Sequence, residues 1–225
     1  MTLPRNPVED AMEALDDDHY RYDNGAGIQE SSSLEAIARN TGVTDVRPGM
    51  RVLEIGTGSG YTGALLSRLV GPSGWVVSVD VNPRLVERAR RLHSEDGFEN
   101  IVVVLADGLT GCPDLAPFDR VVAWARPPYL PTTWLEQLAP GGVVVASLPT
   151  RPDVLGGLTF IIDVVSGTPS VRSMLPGTFV PFHGPGGWHP GLLPTPGAAT
   201  LADLGDVRPE LVWSSGVWGV QLLAR

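Results

Sequence analysis

The chain contains no lysine; all 16 of its basic residues are arginine. That absence excludes Schiff-base chemistry and a phosphate-binding P-loop, both of which need an amine side chain. There is a single cysteine, Cys112. A lone thiol cannot close an internal disulfide, which favours a reducing compartment. Its neighbours, Gly111, Pro113 and Asp114, offer nothing that would activate a thiolate. No window reaches about 18 unbroken apolar residues, so no membrane-spanning helix is expected. The acidic stretch Met1–Asp18 lacks the apolar run of a signal peptide. Positive charge is also scarce: the formal net charge is -9. Nucleic-acid binding and docking on anionic membranes both rest on clustered cations, and neither partner is expected. No compact His, Asp or Glu cluster with metal-ligand spacing is visible, so no metal is expected. A soluble, cytoplasmic protein is the reading that results.

What is present is a core. The hydrophobic fraction is 43% over 225 residues, enough for one elaborated domain. Val8, Met12 and Leu15 at helical spacing suggest a short amphipathic helix within Pro4–Asp18. Tyr20–Gly27 reads as loop. Ser31, Ser32 and Ser33 precede Leu34, Ile37 and Ala38, with Glu35 close behind, which is a helix-start pattern. From Arg51 onward short apolar strands alternate with helices. Strands are expected at Arg51–Ile55, Trp75–Val79, Ile101–Leu105, Arg120–Trp124 and Val143–Leu148. Helices are expected at Thr62–Val70, Pro83–His93 and Thr133–Leu138. This alternation predicts an α/β fold, a mostly parallel twisted sheet with helices on both faces. Leu158–Val165 and Val171–Met174 flank Ser166–Pro169 and predict an antiparallel hairpin added to that sheet. Gly184–Thr200 is dense in glycine and proline and reads as irregular. Leu211–Leu223 reads as a strand or two. The expected division is an N-terminal helical, acceptor-side segment (1–47), a Rossmann-like core (48–150), a hairpin completing the sheet (151–184) and an extension (185–225).

Glycines at 56, 58 and 60 follow a strand and open a helix. Such a loop lets a polar ligand approach the backbone and aims helix N-terminal amides at it, although a simple tight turn would look the same. Asp80 ends the next strand, where a carboxylate can accept both hydroxyls of a ribose. Asp107 ends the third strand, over the same crevice, and can take an adenine amino group. Each aspartate alone also fits a cap or loop residue. Two cofactors match this outline. The dinucleotide fingerprint G-x-G-x-x-G/A wants a small residue where Tyr61 stands, and Glu54 puts negative charge where a pyrophosphate would lie. A sulfonium compound with an ammonium group suits that charge. S-adenosylmethionine is therefore the expected cofactor, and an NAD-dependent oxidoreductase the weaker alternative.

The run Val52-Leu53-Glu54-Ile55-Gly56-Thr57-Gly58-Ser59-Gly60-Tyr61 resembles the first motif of the protein-L-isoaspartate O-methyltransferases. Phe118-Asp119 and Leu135 through Gly142 match that family's pattern, and Thr178-Phe179-Val180-Pro181-Phe182-His183-Gly184 is similar to its closing motif. The similarity spans about Tyr20–Gly184. It implies a Rossmann-like class I methyltransferase fold and methyl transfer from S-adenosylmethionine to an aspartyl or isoaspartyl carboxylate of a protein or peptide. It also implies cofactor contacts at Glu54, Gly56, Gly58, Ser59, Asp80, Asp107 and Gly108; Thr57, Gly60 and Val81 complete the candidate set. Three departures stand out. The family's acceptor motif, with a proline, should fall near Ile28, where Ile28-Gln29-Glu30-Ser31-Ser32-Ser33 stands instead. The acceptor-side threonine is replaced by Trp124, followed by Ala125 and Arg126. A tail, 185–225, runs past the usual end. These departures keep a dedicated enzyme, methylating an aspartate of one partner peptide, in play beside a repair enzyme. A non-catalytic binding protein is disfavoured by the intact loop.

On the acceptor side, Ser31, Ser32 and Ser33 can position a carboxylate through hydroxyl donors or simply cap the helix that follows. Arg126 can pair with an acidic acceptor or lie solvated in a loop. Trp124, Ala125 and His183 complete the candidate acceptor wall. Trp188, Trp213 and Trp218 either pack the tail onto the core or form an apolar acceptor surface. A carboxylate acceptor is ionised near neutral pH, its reference pKa being about 4, so the reaction requires no general base.

Overall fold

The computed structural model describes residues 6–149, 158–177, 179, 182, 207–214 and 216–224. The chain begins with α1 (Pro7–Glu13) and α2 (Asp17–Arg21). One helix over this stretch was expected, but the chain breaks after Glu13. Asp16 then starts a second helix, its carboxylate accepting from the His19 amide at 3.3 Å. The loop expected after Tyr20 is a two-rung ribbon of β1 (Tyr22–Asp23) and β2 (Ala26–Gly27). Asn24 and Gly25 both take positive φ at its tip, as a type I′ turn requires. Helix α3 (Leu34–Thr44) starts at Ser33, whose hydroxyl accepts from the Ala36 amide at 3.2 Å.

The central sheet then forms as β3 (Arg51–Ile55), β4 (Trp75–Asp80), β5 (Ile101–Leu105), β6 (Phe118–Ala123) and β7 (Leu138–Leu148), the first four near the expected places and β7 starting five residues early, through the expected turn at Pro140–Gly142, where its pairing with β6 shifts register. Between them run α4 (Tyr61–Val70), α5 (Pro83–Glu95) and the short α6 (Thr132–Glu136). The hairpin β8 (Leu158–Val165) and β9 (Thr168–Pro176) joins antiparallel to β7. The seven strands lie in the order β5-β4-β3-β6-β7-β8-β9, parallel from β5 to β7. Each parallel neighbour needs a crossover, which is why the first five strands are separated by helices or long loops and the last two only by a turn. A separate two-stranded sheet is made by β10 (Val207–Ser214) and β11 (Val217–Ala224). It is stitched to the core by a bridge between Leu130 and Trp218. The segment expected to be irregular, 184–200, and His183, His189 and Trp188 lie outside the described residues.

Strand alternation sorts the core into two layers. Leu53, Ile55, Val77, Val79 and Val121 face the layer that holds Trp134 and Phe160. Val52, Val76, Val122 and Trp124 face α4, with Tyr20, Ile37, Leu65 and Leu66 packed against them. Glu54 and Ser78 sit in this second set of rows. They are paired in register across β3 and β4, so two polar side chains meet beneath α4. Among the described residues no helix is long and apolar enough to cross a membrane.

Candidate active site

The carboxyl ends of β3, β4 and β5 carry the glycine loop, Asp80 and Asp107 respectively, so all three stand at one edge of the sheet. The loop is a closed hydrogen-bonded object. The Gly56 amide donates to the Val79 carbonyl at 2.8 Å and the Gly60 amide to Thr57 at 2.9 Å. The Gly58 amide donates to Asp80 Oδ2 at 3.1 Å. The sequence reading expected unpaired amides aimed at a ligand. Instead all three glycine amides are satisfied by the chain, the Thr57, Ser59 and Gly60 carbonyls are taken by the Gly60 amide, Arg88 and His93, and the polar groups at this edge are the carboxylates of Asp80 and Asp107. That surface suits ammonium groups and hydroxyls and offers a pyrophosphate no glycine amide.

The glycines also answer to different neighbours than expected. A Cβ on Gly58, where φ is +51°, would stand 2.5 Å from the carbonyl oxygen of Glu30. The N-terminal segment, rather than a ligand, crosses closest to this residue. Gly108 makes room for Ile55 and the Phe182 ring, each 2.7 Å from where a Cβ would lie, and its carbonyl accepts from Trp134 Nε1 at 2.8 Å. It is buried beneath the crevice.

Glu54 is fully buried. Thr62 Oγ1 and Trp124 Nε1 (3.0 Å) donate to its Oε1, and Ser78 Oγ donates to Oε2 at 2.5 Å. Because the single Ser78 proton points at Glu54, the 2.7 Å contact between Thr57 and Ser78 has Thr57 as donor. Burial pushes the Glu54 carboxyl up to about 7, against the pull of the Ser78, Thr62 and Trp124 donors, and the nearby Asp80 charge adds to the rise. Direct contact with a cofactor, expected from the sequence, gives way to a position below the loop: three protein donors hold the carboxylate, and none of its surface reaches the crevice. Trp124 is likewise turned inward. Its indole serves Glu54 and its ring meets Phe179 edge-on at 5.4 Å. At 7% exposed it offers little to an acceptor.

Asp80 is half-buried, Oδ2 on the Gly58 amide and Oδ1 on the Asn82 amide at 2.9 Å. Burial raises its pKa in spite of these amides. Val81 is half-buried beside it. Asp107 is exposed, with Oδ1 accepting from the Leu109 amide at 2.9 Å. Thr57 and Ser59 are buried. Ala125 and Arg126 lie half-buried at the end of β6. Burial lowers the Arg126 guanidinium pKa, and its backbone carbonyl accepts from the Phe182 amide at 2.8 Å.

The three serines separate in role. Ser33 is taken up as the α3 cap. Ser32 presents a carbonyl to Arg21 at 3.4 Å. Only Ser31 places its hydroxyl at the glycine loop: it accepts from Arg21 Nε at 3.1 Å and donates to Ser59 Oγ at 3.4 Å. Sequence reasoning missed the residue that joins these parts. Arg88, on α5, donates to the Ser59 carbonyl at 2.8 Å and to the carbonyls of His19 and Tyr22 at 3.2 and 2.7 Å. It thereby ties the glycine loop to the N-terminal segment. A signal was present, since Arg88 shares the buried face of α5 with Leu85 and Leu92. His93, also on that face, contacts the Gly60 carbonyl through Nε2 at 2.8 Å.

Comparison with known proteins identifies the family. The profile of the protein-L-isoaspartate(D-aspartate) O-methyltransferase family matches residues 6–181. A protein-L-isoaspartate O-methyltransferase of Archaeoglobus fulgidus is 39% identical over 164 residues, covering 72% of this chain and 73% of that one. One from Methanococcus maripaludis is 34% identical over 193 residues, covering 84% and 87%. A solved protein-L-isoaspartate O-methyltransferase superposes with a TM-score of 0.73 at 27% identity, covering 80% of this chain and 62% of that chain. A Plasmodium falciparum structure, described as a complex with S-adenosyl-L-homocysteine, shares the fold with a TM-score of 0.66 at 16% identity, covering 80% and 92%. The chain belongs to the protein-L-isoaspartate(D-aspartate) O-methyltransferase family.

Proposed function

We propose that this chain is an O-methyltransferase that esterifies the side-chain carboxylate of isoaspartyl residues in polypeptides, using S-adenosylmethionine. The observation that carries the reading is the glycine loop whose three glycine amides are internally paired, rimmed by Asp80 and Asp107. Such a rim repels a pyrophosphate and accepts a cation. Asp80 would take the ribose hydroxyls and Asp107 the adenine amine. When bound, the cofactor supplies an electrophilic methyl whose leaving group is a neutral thioether. No acid is needed for departure, and an ionised acceptor needs no base. The chain's own contribution is placement and exclusion of water. The Ser31 hydroxyl, steadied by Arg21 and Ser59, is the group we assign to orienting the acceptor carboxylate. Glu54 holds the loop from beneath through Thr62 and Ser78.

The test pairs two measurements on the full chain. Calorimetry with S-adenosylhomocysteine should show binding that Asp80→Ala weakens about ten-fold or more, the size expected for losing hydrogen bonds to a charged group. Labelled S-adenosylmethionine should then methylate an isoaspartyl peptide and leave a base-labile ester. Uptake of NADH without uptake of S-adenosylhomocysteine would end this assignment. Methylation of the aspartyl twin but not the isoaspartyl peptide would move the acceptor to ordinary aspartate.

A further inference from the structure

The β10–β11 hairpin lies beyond the residues the family profile matches, which end at 181. Its inner row runs Leu211 and Trp213 on one strand, opposite Val220 and Trp218 on the other. Leu211, Trp218 and Val220 pack on the core, but the row overhangs it, and Trp213 is left 52% exposed. The two indoles meet edge-to-face, their centroids 5.4 Å apart. Together with Thr132, Leu135, Glu136 and Gly167 they line a groove of about 530 Å³. Most of this lining is apolar; its one charge is the exposed carboxylate of Glu136, and no cation is among these six residues.

We propose that this groove receives a cationic side chain, lysine or arginine, of the polypeptide being methylated. The chemistry is complementary on each count. Aromatic faces attract a cation and accept its methylene stem, and a carboxylate at the rim neutralises its head. An acidic side chain would meet Glu136 and be repelled. The groove runs along the flank of the sheet: Gly167, in the turn between β8 and β9, lies past the amino end of β7, at the edge opposite Asp80 and Asp107, and Thr132 opens α6 at its other end. Its α6 wall is tied to the turn after Asp107, since Thr133 Oγ1 donates to the Leu109 carbonyl at 2.5 Å and Trp134 Nε1 to the Gly108 carbonyl. A polypeptide anchored here and running along α6 holds an acceptor several residues away within reach of the crevice and raises its effective concentration. The proposal rests on the methyltransferase reading for the identity of its polypeptide.

Two measurements test it. A short oligolysine, titrated into the protein with labelled tryptophan, should shift the indole N–H signals of Trp213 and Trp218, whereas oligoglutamate and oligoglutamine should not. Isoaspartyl peptides in which a lysine is walked along the chain, each beside its norleucine twin, should show a kcat/KM about ten-fold higher for lysine at the best position, the size of a partly desolvated cation–π contact. Trp213→Ser should abolish that preference and Glu136→Gln reduce it, both leaving the rate on a minimal isoaspartyl peptide unchanged. Equal rates for lysine and norleucine peptides, unchanged preference in the variants, or burial of the groove by self-association in solution would overturn the proposal. If no peptide is methylated, the functional reading fails, while the oligolysine titration still reports on the groove alone.

Discussion

The two walls of the crevice are built differently. The wall formed by β3, β4 and β5 is fastened by main-chain bonds and by carboxylates that the sheet itself brings into register, Glu54 against Ser78 and Asp80 against Gly58. The opposite wall, residues 16–33, is fastened by arginine side chains reaching across to carbonyl oxygens: Arg88 to His19 and Tyr22, Arg21 to Ser32. Tyr20 adds one bond, its hydroxyl donating to Asp96 at 2.6 Å. A wall held by main chain keeps its shape under most substitutions. A wall held by single side chains can be loosened at one residue, so the segment 16–33 is the part that one mutation can alter while the strand wall stands.

Four substitutions probe that contrast, in decreasing order of effect. Gly58→Val forces a β-branched residue into a left-handed φ and drives its Cβ against the Glu30 carbonyl, so it attacks both walls where they touch. It should cost about 4 kcal/mol in thermal unfolding and remove detectable S-adenosylhomocysteine binding. Glu54→Gln tests the cofactor wall through pH. The folded carboxyl titrates near 7 and the unfolded one near 4.5. Below the lower value both states hold the proton. As pH rises between the two, only the unfolded chain releases it, so the wild type loses stability through this window and reaches the full loss above about 7. The glutamine variant lacks this slope because an amide does not titrate, and the Ser78 and Thr57 hydroxyls can reverse so that Ser78 accepts from the new amide. Denaturant titrations at acid and mildly alkaline pH should therefore show the wild type losing about 3 kcal/mol relative to the variant.

Arg88→Met keeps an apolar stem but strips three carbonyls of their donor. It should cost about 2 kcal/mol. Hydrogen exchange should quicken across 16–31 while β3 to β6 stay protected; equal loosening of the sheet would erase the distinction between the walls. Arg88→Lys should restore little, because one ammonium cannot span the fork. Ser33→Ala removes only the α3 cap and should lower stability by about 1 kcal/mol without changing the rate on an isoaspartyl peptide. A large loss of rate would mean that Ser33, not Ser31, handles the acceptor.

How far the sequence foretold all this depended on the kind of interaction. The central strands were legible because Ile101–Leu105 or Arg51–Ile55 are short apolar runs bounded by turn residues, and burial on both faces writes itself into composition. The edge positions of Asp80 and Asp107 followed from strand ends. The Asn24-Gly25 turn was written in the sequence as well, and the loop reading passed over it. What sequence could not provide was register. Alternation places Glu54 inside one strand and Trp124 at the end of another, but only the pairing of β3 with β4 and β6 shows that Glu54, Ser78 and Trp124 share one face and satisfy one another. The same limit hid the Gly56 and Gly58 amides, whose partners, Val79 and Asp80, lie on the next strand.

Those paired amides have a consequence for binding. A loop that already closes its own hydrogen bonds has little freedom left to surrender, so the cofactor meets a preorganised receptor and the entropic penalty of association is small on that side. Relaxation measurements on the glycine loop should then differ little between the empty and the S-adenosylhomocysteine-bound protein, and any slow exchange provoked by ligands should concentrate in the segment that Arg88 anchors.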